Sequence, residues 1–227
     1  MSITRSNLLK ILKSITHDHQ LSSDASDKLE LLINKQLLPK IILSSFRIAS
    51  NRSGGKRKIT KEDVDNVLFI LLPFSIYTLA NNEMKHSKVH YISTGATKKF
   101  GIKLLENNDR QYQKLQTESA LLINSTIQVI IRTILHDLII RNTNTKRINS
   151  EHIISSIARN KDISLLFPVE TIQYYSSQEK DNKKNTQVIP VNNSNKKPNS
   201  SHGAHAAHAN AILPAKPVVS NPGIIHI

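Results

Sequence analysis

The chain has 227 residues, 31 Lys+Arg against 17 Asp+Glu and a formal charge of +14, enough length for one domain or two small ones at about 100–200 residues each. The absence of cysteine excludes disulfides, zinc fingers, iron–sulfur centres and thiol nucleophiles, and 4% aromatic content without Trp leaves too few rings for a single-strand stacking surface. Such a cationic excess points to a polyanionic partner, and no apolar run approaches the ~18 residues that span a bilayer.

Residues 1–12 are too polar and too regularly spaced for a secretory leader, so an intracellular protein is expected. The first predicted element is a short amphipathic helix, Asn7–Ile15, followed by a polar loop, His17–Leu21. A long helix then runs from Ser23 to Ala49, with Asp24 and Asp27 in the first turn, where the positive helix end favours acids. Pro39 lies inside it and should kink the axis and free a carbonyl. A basic loop, Asn51-Arg-Ser-Gly-Gly-Lys-Arg-Lys58, leads to Thr60-Lys-Glu-Asp63, a capping-box start for Val64–Leu72, which Pro73 stops. A further helix spans about Ser75–Thr97.

The same order of parts returns. Lys98–Asn107 is a short helix, 108–116 a polar loop, and Thr117–Arg141 a long helix with Ile123, Ile127, Ile130, Ile131, Ile134 and Leu138 at three- and four-residue steps. Asn142-Thr-Asn-Thr-Lys-Arg147 is a second basic loop, after which Asn149 or Ser150 caps Ile153–Ala158. No alternating pattern predicts a strand. Both long helices are apolar over far more than one stripe, so each half needs another half to cover it. A head-to-tail crossing of the two halves supplies that cover and sets each half's first loop beside the other's basic loop. The tether raises the effective concentration of that pairing. Beyond the second half, Asn, Ser, Lys and His dominate, and five of the eight prolines lie past residue 175, the signature of a disordered or loosely docked tail.

Helix–loop–long helix–loop–helix, with a basic loop and Ile-(Thr or Ser) before the last helix, resembles the histone fold. Leu9-Lys-Ile-Leu-Lys13, Leu21-Ser-Ser23, Lys56-Arg-Lys-Ile-Thr60, Val67-Leu-Phe-Ile-Leu-Leu-Pro73 and Lys88-Val-His-Tyr91 resemble histone two-B. Lys146-Arg-Ile148, His152-Ile-Ile-Ser-Ser-Ile157 and Arg159-Asn-Lys-Asp162 resemble histone two-A, and Val169-Glu-Thr-Ile172 is similar to its docking strand. Two such types on one chain look like the core histone doublets of large DNA viruses of eukaryotes. The resemblance implies an all-α protein of two tandem histone folds in an intramolecular handshake, a pseudo-heterodimer with an extra helix after the first fold. Its expected parts are 1–97, 98–173 and a tail, 174–227. It also implies a core-histone-like role: packaging duplex DNA without sequence specificity, with a histone four–three-type doublet as partner and a nucleosome-like octamer as product. The site of action would be the host nucleus or viral factory, and the virion. Departures are Pro39, the lengthened loop at Gly54-Gly55, an amino end with little basic tail, and an acidic patch reduced to Asp162 beside Lys161.

The residues expected on DNA are Lys56, Arg57, Lys58 and Thr60 in the first basic loop and Lys146 and Arg147 in the second, joined by Arg52, Arg110 and Lys114. Val169, Thr171 and Ile172 are the expected docking residues toward the partner. Charge leans to the first half: residues 1–104 hold 17 basic and 8 acidic residues, residues 105–173 hold 8 and 7. Ser119, His136 and Asp137 form no triad, because adjacent residues on a helix point apart. No catalytic residue, cofactor, small-molecule substrate or membrane is expected. His202, His205 and His208 sit at metal-like steps, but Gly203 and the surrounding Ser, Asn and Pro argue against a rigid site, and no metal is expected. His17 and His19 are read as loop or solvent-facing residues. Two other readings fit the pattern: a histone-fold transcription or architectural factor, and a helical interaction module whose basic loops are only solvated.

Overall fold

The computed structural model describes residues 2–52, 58–87, 89–108, 114–141 and 145–167, all within one compact unit, Met1–Gln187. The tail expected over 174–227 lies outside the described residues. The first half comprises α1 (Arg5–Lys13), β1 (Gln20–Leu21), α2 (Ser23–Leu32), a π-helical turn (Ile33–Leu37), α3 (Leu38–Arg52), β2 (Lys58–Ile59) and α4 (Lys61–Leu71). After α5 (Phe74–His86) come α6 (Thr94–Glu106), β3 (Lys114–Leu115), α7 (Thr117–Arg141), β4 (Arg147–Ile148), α8 (Ser150–Arg159) and α9 (Lys161–Ser164).

Helix starts follow side-chain caps. The Ser22 hydroxyl accepts from Ala25 N–H at α2, Thr60 and Asp63 form a capping box at α4, and Asn149 and His152 form one at α8. Leu72 is extended, as the residue before a proline prefers, and Pro73 separates α4 from α5.

Pro39 sits at the second position of α3, directly after the π turn. In an α-helix its ring would press on the carbonyl four residues back, and its missing N–H would leave that carbonyl without a donor. The π turn, closed by Leu38 N–H to the Ile33 carbonyl, changes the register just before the proline, so the long helix continues through it. Asn34, on this turn, is buried. Its amide donates to the Ile3 carbonyl at 2.8 Å and its oxygen accepts from the N–H groups of Ser2 and Ile3 at 3.2 and 3.0 Å.

The helix expected over 75–97 ends early. Ser87 leaves the helical region, Tyr91 and Ile92 lie outside any helix, and Ser93 caps α6 through Ala96 N–H. Two side chains of α7 hold this connection: Gln128 Oε1 accepts from Tyr91 N–H at 3.1 Å, and Asn124 Nδ2 donates to the Ile92 carbonyl at 3.1 Å. Residue 97, taken as the end of the first part, therefore falls inside α6. The Thr97 hydroxyl donates to Asn124 Oδ1 at 2.6 Å and accepts from Ser2 at 2.8 Å.

The core is one cluster drawn from both halves. α2 packs on α8, α3 on α6, and both α1 and α4 on α7, each pair joining opposite halves. Ile123, Ile127, Ile130, Ile131 and Ile134 of α7 are at most 1% exposed. Fully burying such a side chain contributes about 1.5–3 kcal/mol. By length and composition α7 could cross a bilayer, contrary to the sequence expectation, but 67% of its apolar window is buried inside the protein, where it serves as the central packing helix.

Two parallel pairings close the clasp, Gln20↔Arg147 with Leu21↔Ile148, and Lys58↔Lys114 with Ile59↔Leu115. Each joins the first loop of one half to the basic loop of the other, as the head-to-tail crossing requires. At two residues each, these strands are too short to leave an alternating pattern in the sequence.

Candidate nucleic-acid interface

Strand geometry turns successive side chains to opposite faces, and that alternation sorts each pairing into an apolar inside and a polar outside. At the first junction Leu21 and Ile148 are buried, while Gln20, Lys146 and Arg147 are exposed. At the second, Ile59 and Leu115 are buried and Lys58 and Lys114 are exposed. The continuous helix from Ser23 to Arg52 is about 45 Å long at ~1.5 Å per residue, and the strands β1 and β2 flank its two ends. The chain thus carries two cationic bends, one at each end of its long helices.

Hydrogen bonds across the halves fix both bends. At the first, Gln20 N–H donates to the Lys146 carbonyl at 2.7 Å, and the N–H and hydroxyl of Ser22 both reach the Ile148 carbonyl at 2.9 Å. At the second, Gln116 N–H and the Ser119 hydroxyl converge on the Ile59 carbonyl at 3.1 and 2.9 Å. Asp24 adds a link at the first bend, accepting from Ser150 N–H at 3.0 Å. Desolvation acts to raise its pKa, but hydrogen bonds from Ser22 and Ser150 outweigh it and hold the carboxyl at about 2.

Lys58, Lys114, Lys146 and Arg147 face outward from these bends. Thr60 and Arg52 have other work in the structure. The backbone N–H and hydroxyl of Thr60 donate to Asp63 Oδ2 at 2.8 and 2.7 Å, and Arg52 donates to the same oxygen at 2.8 Å, with Glu62 at 3.8 Å. Asp63 is 1% exposed, so Arg52 supplies the charge partner that this buried carboxylate needs. Lys56, Arg57 and Arg110, and the docking residues Val169, Thr171 and Ile172, lie outside the described residues.

Two cations missing from the sequence candidates stand at equivalent places. Arg5 of α1 donates to the Ser23 hydroxyl at 3.2 Å, and Lys98 of α6 donates to the Thr117 hydroxyl at 2.6 Å. Each thereby sits at the first residue of a long helix, beside one of the two bends. The repeated hydroxyl after each first loop was the available signal. Among the described residues no group of three His, Asp or Glu side chains is arranged to hold a metal, and His202, His205 and His208 lie outside them.

No family model matches this chain, and no curated protein does. Among solved structures it is similar to the crystal structure of the histone from Methanopyrus kandleri, with a TM-score of 0.51 at 11% identity, covering 74% of this chain and 97% of that one. The covered share exceeds either half alone, so the likeness extends over both. Two helical triplets crossed head to tail, with each first loop paired to the opposite basic loop, have the histone fold, here present twice on one polypeptide.

Proposed function

We propose that this protein packages duplex DNA in the manner of a core histone, contacting the backbone without reading sequence. The observation that carries this reading is the pairing of Lys58 with Lys114 on adjacent strands at one bend, with Lys146 and Arg147 outward at the other. Cations facing outward at both bends attract a row of phosphates, and short bends beside helix starts also offer backbone N–H groups to phosphate. The formal charge of +14 adds a long-range pull toward a polyanion.

The finer reading is a viral histone doublet, two-B-like then two-A-like, that joins a histone four–three-type doublet in a nucleosome-like particle. It acts without catalysis, in the host nucleus or viral factory and in the virion. An apolar corner supports such a partner: Phe69, Ile70 and Phe74 are 63%, 80% and 75% exposed around the α4–α5 turn.

The test is reconstitution on long DNA with and without a histone four–three doublet, followed by micrococcal digestion. A protected fragment of regular length that needs both proteins is expected. An unprotected smear in both cases overturns the packaging reading, and a single footprint at one sequence favours a site-specific factor. Six phosphate contacts would give a log–log salt slope of about −5.

A further inference from the structure

A cleft of about 460 Å³ opens where the π turn and α3 of the first half meet α6 of the second. Pro39 and Leu43 form one wall, and Phe100 and Leu104 the other. All four are partly exposed, and the last three also rest on the core. Lys35 and Lys103 stand exposed at the rim, and no carboxylate is among the lining residues. None of the lining residues belongs to either strand pairing.

We propose that this cleft binds an acidic peptide segment of a partner protein, with one aromatic or aliphatic side chain seated on the apolar walls and flanking carboxylates on Lys35 and Lys103. The inference goes beyond DNA packaging and does not depend on it. Charge selects the occupant. A second copy of this chain brings +14, and the chain's own residues 174–227 bring 6 basic against 2 acidic side chains, so both are repelled by a cationic rim. A bare phosphate row satisfies the lysines but leaves the apolar walls wet. An apolar anchor between acids satisfies both features.

The test uses the full chain and a fluorescein-labelled peptide of Asp and Glu around one central Phe, followed by anisotropy. Replacing the peptide's Phe by Ser should weaken binding about tenfold or more, and so should the double substitution Lys35→Glu with Lys103→Glu. Both lysines are exposed, so circular dichroism should show an unchanged fold. Arg147→Ala should bind the Phe peptide like the parent. Equal binding of the Phe and Ser peptides, loss of binding through Arg147→Ala in place of the lysine pair, or no binding at about 1 mM peptide each overturns the proposal. None of these outcomes depends on whether the protein protects DNA from nuclease.

Discussion

At the end of the first long helix Arg52 reaches into the next helix and holds the buried carboxylate of Asp63, which also caps that helix through Thr60. At the equivalent place in the second half His152 stands where Asp63 stands, with Asn149 N–H donating to its Nδ1 at 3.3 Å, and Arg141 turns back along α7 to Asp137 at 2.7 Å. The Ser156 hydroxyl donates to the other oxygen of Asp137, also at 2.7 Å. The two bends therefore share a backbone pairing and differ in what secures it: in one a charge pair bridges successive helices, in the other the charge pair stays within one helix and its carboxylate takes a hydroxyl from the next. The outer corners differ in the same sense. Phe69 and Ile70 are exposed on α4, whereas Ala158 and Arg159 occupy the equivalent positions on α8.

The largest effect expected is on assembly. Ile70→Glu should abolish association with a companion doublet in sedimentation while changing the stability of the isolated chain by no more than about 0.5 kcal/mol. The same change at Arg159 should leave association intact; equal loss from both would erase the distinction between the corners. Next is Asp63→Ala, which removes a buried acceptor shared by Thr60 and Arg52. Because Arg52 is partly exposed, a loss at the low end for such pairs, about 3 kcal/mol, is expected in urea unfolding, against about 1 kcal/mol for the cap lost in His152→Ala. Equal losses would mean that the ion pair adds nothing beyond capping. Arg147→Ala and Lys58→Ala should each lower the magnitude of the salt slope for DNA by about one. Two unchanged slopes would remove both bends from the DNA path.

The smallest effect concerns Asp24. Its carboxyl ionises at about 2 in the folded protein against 3.8 for the reference group. A lowered value means that the charged form stabilises the fold. That contribution is complete above about pH 4 and is lost as the pH falls from there through 2. Asp24 is exposed at the surface, so the contribution is below about 1 kcal/mol. The thermal midpoint should lose this part of its acid slope in Asp24→Asn, and an identical slope in the variant would assign the acid sensitivity elsewhere.

Helices stabilised by their own sequence were legible in it. The steps of Ile in α7, the Thr60–Asp63 box and the stop at Pro73 lie within a few residues of what they determine. Features imposed from a distance were hidden. Between Ser75 and Thr97 only Gly95 strongly weakens a helix, and it lies inside α6; Gln128 and Asn124, more than thirty residues away, hold Tyr91 and Ile92 outside any helix. The π turn answers to Pro39 and to the N-terminal residues that Asn34 grips, and neither leaves a periodic trace. The placement of the candidate cations divides in the same way. Lys58 and Arg147 follow from loop position, but that Arg52 is engaged with Asp63, and that Arg5 and Lys98 flank the bends, depends on which helix ends meet in three dimensions.

The connection from Ser87 to Ser93, stitched to α7 by Gln128 and Asn124, has a consequence for how the protein is supplied and diluted. Two separately made partners must be produced in balance and find each other, and they come apart when scarce. Here one round of translation delivers both in equal number, and neither can exchange for a foreign counterpart. Melting should keep the same midpoint at nanomolar as at micromolar chain, because the two halves cannot drift apart on dilution.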